Sequence, residues 1–142
     1  MKGRRKIVIL VFPLLAILTL LTIIPMFTTF MRRPTNMVRN YITRITPIGT
    51  SIGDVVEVIE RREGWDVRRI DFERGFIPGS SARPAQGLNS NVVGEMAVWV
   101  HLGTYHAWHT WPPFIEQVVD VFWGFDVDGN LIEVYVRKLG MF

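Results

Sequence analysis

Three histidines, His101, His106 and His109, are the side chains best suited to chemistry in this chain. Joined by Glu95, Glu116 or Asp120 they are candidate ligands for a zinc ion that would activate water for hydrolysis. Their spacing follows no standard zinc signature, so the first reading is of polar residues on a strand face and in a loop. Asp126-Val127-Asp128-Gly129-Asn130 has the composition of a calcium loop. Its glycine is fourth, where an EF-hand needs it sixth, and strand-like segments flank it, so a hairpin turn is expected. Ser80 and Ser81 have glycines nearby but no nucleophile-elbow context, and no Gly-rich run carries the Lys-Ser/Thr of a phosphate loop. Cysteine is absent, which excludes disulfides, thiolate metal sites, a cysteine nucleophile and an acylated lipoprotein N-terminus. The residues point to no catalytic centre and to no cofactor.

The most unusual local composition is the segment 105–114, where Tyr105, Trp108, Trp111 and Phe114 are interleaved with His106, His109, Pro112 and Pro113. Two prolines prevent continuation into regular helix or sheet, and a stiff loop presents aromatic rings at small entropic cost. Trp and Tyr favour protein interfaces and the membrane–water boundary alike, so these four rings are candidate interaction residues. The competing reading is that some of them cap the sheet as core.

Charge is divided unevenly. Residues 1–46 carry eight bases (Lys2, Arg4, Arg5, Lys6, Arg32, Arg33, Arg39 and Arg44) and no acid. The remainder carries eight bases and all 13 acids, a net charge of −5 within the overall +3. The basic character therefore belongs to the N-terminal region, and a mildly acidic domain argues against nucleic acid as a partner. Residues 7–31 contain no charge. As a helix they would rise about 37 Å, enough to cross a hydrocarbon core of about 30 Å with some tilt. Pro13 and Pro25 are tolerated in such a helix. The run is too long for a signal-peptide core and is followed by a poor cleavage site, so an uncleaved anchor is expected. Flanking charge is nearly balanced; the short basic N-terminus places that end in the cytoplasm and the C-terminal domain outside. Arg32, Arg33, Arg39 and Arg44 would then lie near anionic head groups, making membrane lipids a partner.

Behind the anchor, 32–47 reads as a juxtamembrane amphipathic helix. Met37, Val38, Tyr41, Ile42 and Ile45 share one face, which serves lipid contact or a domain core equally well. The α+β domain is expected over 48–142. Ser51 caps a second helix, with Asp54 as an acidic variant of the capping box. Ile52, Val55, Val56 and Ile59 face its core, and Gly64 ends it. Strand alternation then changes parity between Val67 and Ile70, predicting a bulge near Arg68 and Arg69. A long Gly/Pro/Ser/Asn loop covers 75–91, a strand covers 96–102, a loop 103–113, and strands on either side of 126–130 close the chain. Two helices followed by strands without βαβ alternation predict two short helices on one face of a three- or four-stranded antiparallel sheet.

Two stretches carry a resemblance. Pro47-Ile48-Gly49-Thr50-Ser51 leads into Ile52-Gly53-Asp54-Val55-Val56-Glu57, and Phe125-Asp126-Val127-Asp128-Gly129-Asn130-Leu131 joins the last strands. Over 48–64 and 119–136 the chain resembles uncharacterised small membrane-anchored bacterial proteins. It is also similar to the SmpA/OmlA (BamE-like) domain, where G-x-(S/T)-x-x-x-V opens a helix and F-D-x-x-G-x-(L/V) makes a hairpin. It departs from that family in lacking the lipobox cysteine, so an outer-membrane assembly role is not carried over. The resemblance implies a non-catalytic module of the bacterial cell envelope. The expectation from sequence is a membrane-tethered, non-enzymatic binding domain with an envelope protein or lipid as partner. The alternative is a small metal-dependent membrane-bound hydrolase using His101, His106 and His109.

Overall fold

The computed structural model describes Ile17 and residues 30–79, 83–84, 91–107 and 115–141. The chain divides into two units, Met1–Arg33 and Pro34–Phe142. In the first, Ile17 is helical and Phe30–Arg32 forms one 3-10 turn. Most of the apolar run 7–31 lies outside the described residues. Among the described residues no helix is long and apolar enough to cross a membrane.

The second unit begins with helix α1 (Thr35–Ile45). Pro34 cannot continue a helix backwards, and its carbonyl accepts from the amides of Met37 and Val38. Val38 and Ile42, one turn apart, are fully buried. Tyr41 and Ile45 are half-buried, while Met37, expected on the apolar face, is 55% exposed. Thr46 closes the helix by donating both its amide and its hydroxyl to the Ile42 carbonyl. The same hydroxyl oxygen accepts from Trp123 Nε1 at 3.0 Å, which pins the helix end to the sheet. Of the two roles open to this amphipathic stretch, its apolar face takes the core role, and the compact unit starts at Pro34 instead of at 48.

Helix α2 (Ile52–Glu60) starts at Ser51, whose Oγ accepts from the Asp54 amide and donates to the Asp54 carboxylate. The Ser51 cap is as expected; the Asp54 carboxylate, however, takes the Ser51 hydroxyl and not the Ser51 amide that a full capping box would engage. Val55 and Ile59 are buried, but Ile52 and Val56 are only half-buried, so the packing stripe is narrower than the sequence suggests. The helix ends at Glu60, a turn before Gly64, because residues 61–64 make a separate turn.

Among the described residues six strands follow: β1 (Asp66–Asp71), β2 (Phe76–Ile77), β3 (Arg83–Pro84), β4 (Met96–Ala107), β5 (Ile115–Phe125) and β6 (Leu131–Met141). The main sheet has the order β1-β4-β5-β6 and is antiparallel throughout; β2 and β3 form a separate pair. The expected bulge in β1 lies between Val67 and Arg69. The expected loop at 103–113 is a correction: β4 continues to Ala107. A register shift between His101 and Gly103 absorbs the irregularity. Gly103, at φ 137°, adopts a backbone that side chains other than hydrogen disfavour, so a residue read as a strand stop is here a bulge inside one. Asp126 turns β5 into β6, its carboxylate accepting from the amides of Asp128 and Asn130, which is the expected hairpin.

Directly opposed residues of antiparallel strands share a face. One face therefore carries Val98 and Val100 of β4, Val121 and Trp123 of β5, and Val134 and Val136 of β6, all at most 4% exposed. Together with Val38, Ile42, Val55 and Ile59 these make the main core. Each such side chain contributes on the order of 1.5–3 kcal/mol by burial, an upper figure relative to an extended chain. The opposite face is not the polar surface of a one-sided sheet. Phe76, from within the long 75–91 stretch, is fully buried there against Phe122 and Ala97, with Val93, Trp99 and Tyr135 around it.

Candidate functional site

Two arrangements of polar side chains stand out, one on each side of the sheet. The first is a row across the outer face. Register aligns Trp99, Phe122 and Tyr135 in one line and His101, Asp120 and Arg137 in the next. Phe122 stacks on Trp99 with ring centroids 5.6 Å apart and on Phe76 at 5.5 Å. Gly124 makes room for the Phe76 ring, since a Cβ there would stand 2.9 Å from Phe76 Cε1. Beneath this aromatic layer Asp120 is 4% exposed. Its Oδ1 lies 3.1 Å from His101 Nδ1, and its Oδ2 accepts from Arg137 Nη2. The Arg137 guanidinium also sits over the rings of Phe122 and Trp99, at 5.2 and 5.8 Å. A buried carboxylate needs such partners, because an unpaired charge there is strongly unfavourable.

An ionised carboxylate only accepts, so the His101 Nδ1 that faces Asp120 is the donor of this contact. Chemically this is an oriented imidazole, able to act as a base or as a single metal ligand with Asp120 behind it. His106 does not join it. His106 is exposed near the end of β4, where its partner on β5 is Glu116, four residues from Asp120; that is about 13 Å along the strand. His109 lies outside the described residues. No group of three His, Asp or Glu side chains suited to a metal occurs among the described residues.

Of the aromatic segment, Tyr105 belongs to β4 and is half-buried, with Lys138 Nζ 5.1 Å from its ring centroid. Burial lowers the pKa of Lys138 from its ordinary 10.5. Trp108, Trp111 and Phe114 lie outside the described residues.

The second arrangement is an open groove between α1 and β6, of about 620 Å³, lined by Arg39, Asn40, Thr43 and Arg44 on the helix side. Ile48, Ile132, Glu133 and Val134 complete it. Arg39 pairs with Glu133 at 3.1 Å, and both side chains remain about half exposed. Arg44 makes no ion pair among the described residues. Ile48 and Ile132 are 57% and 43% exposed. Two of the four arginines singled out from sequence, Arg39 and Arg44, thus share one wall. Arg32 and Arg33 are exposed residues of the first unit.

The outer-face row had one signal in the sequence: an acid, Asp120, inside the otherwise apolar stretch Val118–Trp123, and a base, Arg137, at the matching strand position. For the groove the sequence marked Arg39 and Arg44 on one wall, but nothing marked the facing wall, which comes from a segment about ninety residues away. Comparison with protein-family models, with curated proteins and with solved structures returned no match to this chain.

Proposed function

We propose that the chain is a membrane-tethered, non-enzymatic binding domain of the bacterial cell envelope, held by a helix over 7–31 with the α+β domain outside the cytoplasm. The observation that carries this reading is the α1–β6 groove. It exposes two guanidinium groups and two isoleucines beside one another, while on the opposite face Asp120 is already engaged by His101 and Arg137. Mixed basic and apolar exposure of this kind suits recognition better than turnover. The likeness of 48–64 and 119–136 to BamE-like domains supports the same class. These two stretches are the capped start of α2 and the β5–β6 hairpin, which dock on each other through Ile52 N to Gly129 O, 2.9 Å.

The test replaces Asn40, in the groove, with a photo-reactive residue in the full chain and irradiates native membranes. Asp128, at the hairpin tip, serves as the reference position. Adducts formed at position 40 and absent at 128 are the expected result. Carbonate-extractable protein would remove the tether from the reading, and equal adducts at both positions would remove the groove. The oriented His101 keeps a metal-dependent hydrolase as the second reading. Stoichiometric zinc that is lost on His101→Ala would favour it over the first.

A further inference from the structure

We infer that the α1–β6 groove binds the phosphate-bearing head group of an anionic lipid in the bilayer that holds the chain. This rests on the tethered-domain reading and gives its groove an occupant. Four observations converge on it. The first is charge: Arg39 and Arg44 line one wall, and among the described lining residues Glu133 is the only acid. A phosphodiester is matched by guanidinium groups that donate in a planar fork, and it can replace Glu133 as the partner of Arg39 while also engaging Arg44. The second is polarity. Ile48 and Ile132 are exposed beside these cations, so the groove offers an apolar rim next to a basic wall. A lipid presents the same pair of surfaces, phosphate beside glycerol and the first acyl carbons.

The third is size. The open groove, of about 620 Å³, is of the order of a small-molecule site. The fourth is covalent. Thr35, the first residue of α1, follows the apolar run 7–31 by four residues, a reach of at most about 14 Å. A helix that leaves the membrane so soon holds its own basic residues within range of the surface potential.

Because the chain has no cysteine, one introduced thiol reports on the groove without background. The full chain carrying Asn40→Cys is placed in nanodiscs of phosphatidylcholine alone or with about one-third phosphatidylglycerol, and labelled with a neutral maleimide. Labelling is expected to slow about fivefold with phosphatidylglycerol, the effect of roughly one engaged arginine. Asp128→Cys should label at the same rate in both discs. Arg39→Gln with Arg44→Gln should abolish the slowing; both side chains are exposed, and unchanged circular dichroism confirms the fold. Equal Asn40→Cys rates in the two discs would overturn the inference, as would slowing that survives the double substitution. Protection by inorganic phosphate in phosphatidylcholine discs, matching that by phosphatidylglycerol, would make this a free-phosphate site and overturn the lipid assignment. A chain that fails to enter nanodiscs at all refutes the tether itself, a result distinct from all of these.

Discussion

Asp120→Ala should cost the Pro34–Phe142 unit about 3 kcal/mol. The carboxylate is 4% exposed and joins His101 to Arg137, whose side chains are 17% and 12% exposed. Removing one member of a buried ion pair costs on the order of 3–5 kcal/mol, because the other charge is left without a partner. The lower end applies here. Arg137 retains the faces of Phe122 and Trp99, each such contact being worth about 0.5–2 kcal/mol. It also keeps some access to water. Asp120→Asn preserves shape and one acceptor, and should cost about half as much, since a neutral acceptor forms a weaker bond to guanidinium. The assay is urea unfolding followed by tryptophan fluorescence, in which 3 kcal/mol is a large share of a stability of about 5–15 kcal/mol. A second variant separates pairing from burial: Asp120→Leu with Arg137→Met removes both charges and should recover to within about 1 kcal/mol of the parent. Asp120→Ala unfolding within about 0.5 kcal/mol of the parent would refute the reasoning, because it would mean that water already screens the row. A double variant as unstable as Asp120→Ala would show that the ion pair itself, and not the isolated arginine, determines the cost.

Gly124→Ala should destabilise by about 1–3 kcal/mol, because the new methyl meets Phe76 Cε1 at 2.9 Å and Val93 Cγ1 at 3.1 Å. Combined with Phe76→Ala it should cost clearly less than the sum of the two, as a double-mutant cycle in urea would show. On α2, Val55→Asp should prevent folding, whereas Val56→Asp should leave a folded domain of reduced stability, as judged by thermal melts; equal loss in both would mean the helix is rotated. Burial lowers the pKa of Lys138 below 10.5, so in the interval between its folded value and 10.5 the unfolded chain binds more protons. This group's contribution to stability therefore rises with pH across that interval, and Lys138→Met should flatten the slope in unfolding titrations taken towards pH 10.5.

The local features were legible because their causes are local. The Ser51–Asp54 cap, the Asp126 hairpin and the β1 bulge each follow from a few adjacent residues whose backbone preferences agree. Local signals fail where a residue has two uses. Gly103, a residue type that ends strands, forms a bulge within one, so Tyr105 and His106 stand on β4 and not in a loop. Val56 lies at the edge of α2's apolar stripe, and the stripe's width depends on what packs against it. In the long 75–91 stretch glycines and prolines dominate the composition, but the decisive residue is Phe76, which covers the outer face.

By itself the sequence determined the two helices, the antiparallel sheet that follows them, and the segregation of positive charge into residues 1–46. These depend on periodicity, turn chemistry and composition, which act over a few residues. Only the tertiary structure decided which side chains meet. Register across β4, β5 and β6 brought His101, Asp120 and Arg137 into one buried row, and it set His106 about 13 Å away from them. Docking of α1 on β6 joined Arg39 to Glu133 and opened the groove between them. Such contacts come from strand register and helix packing, which the whole hydrophobic core sets together, so no short stretch of sequence encodes them.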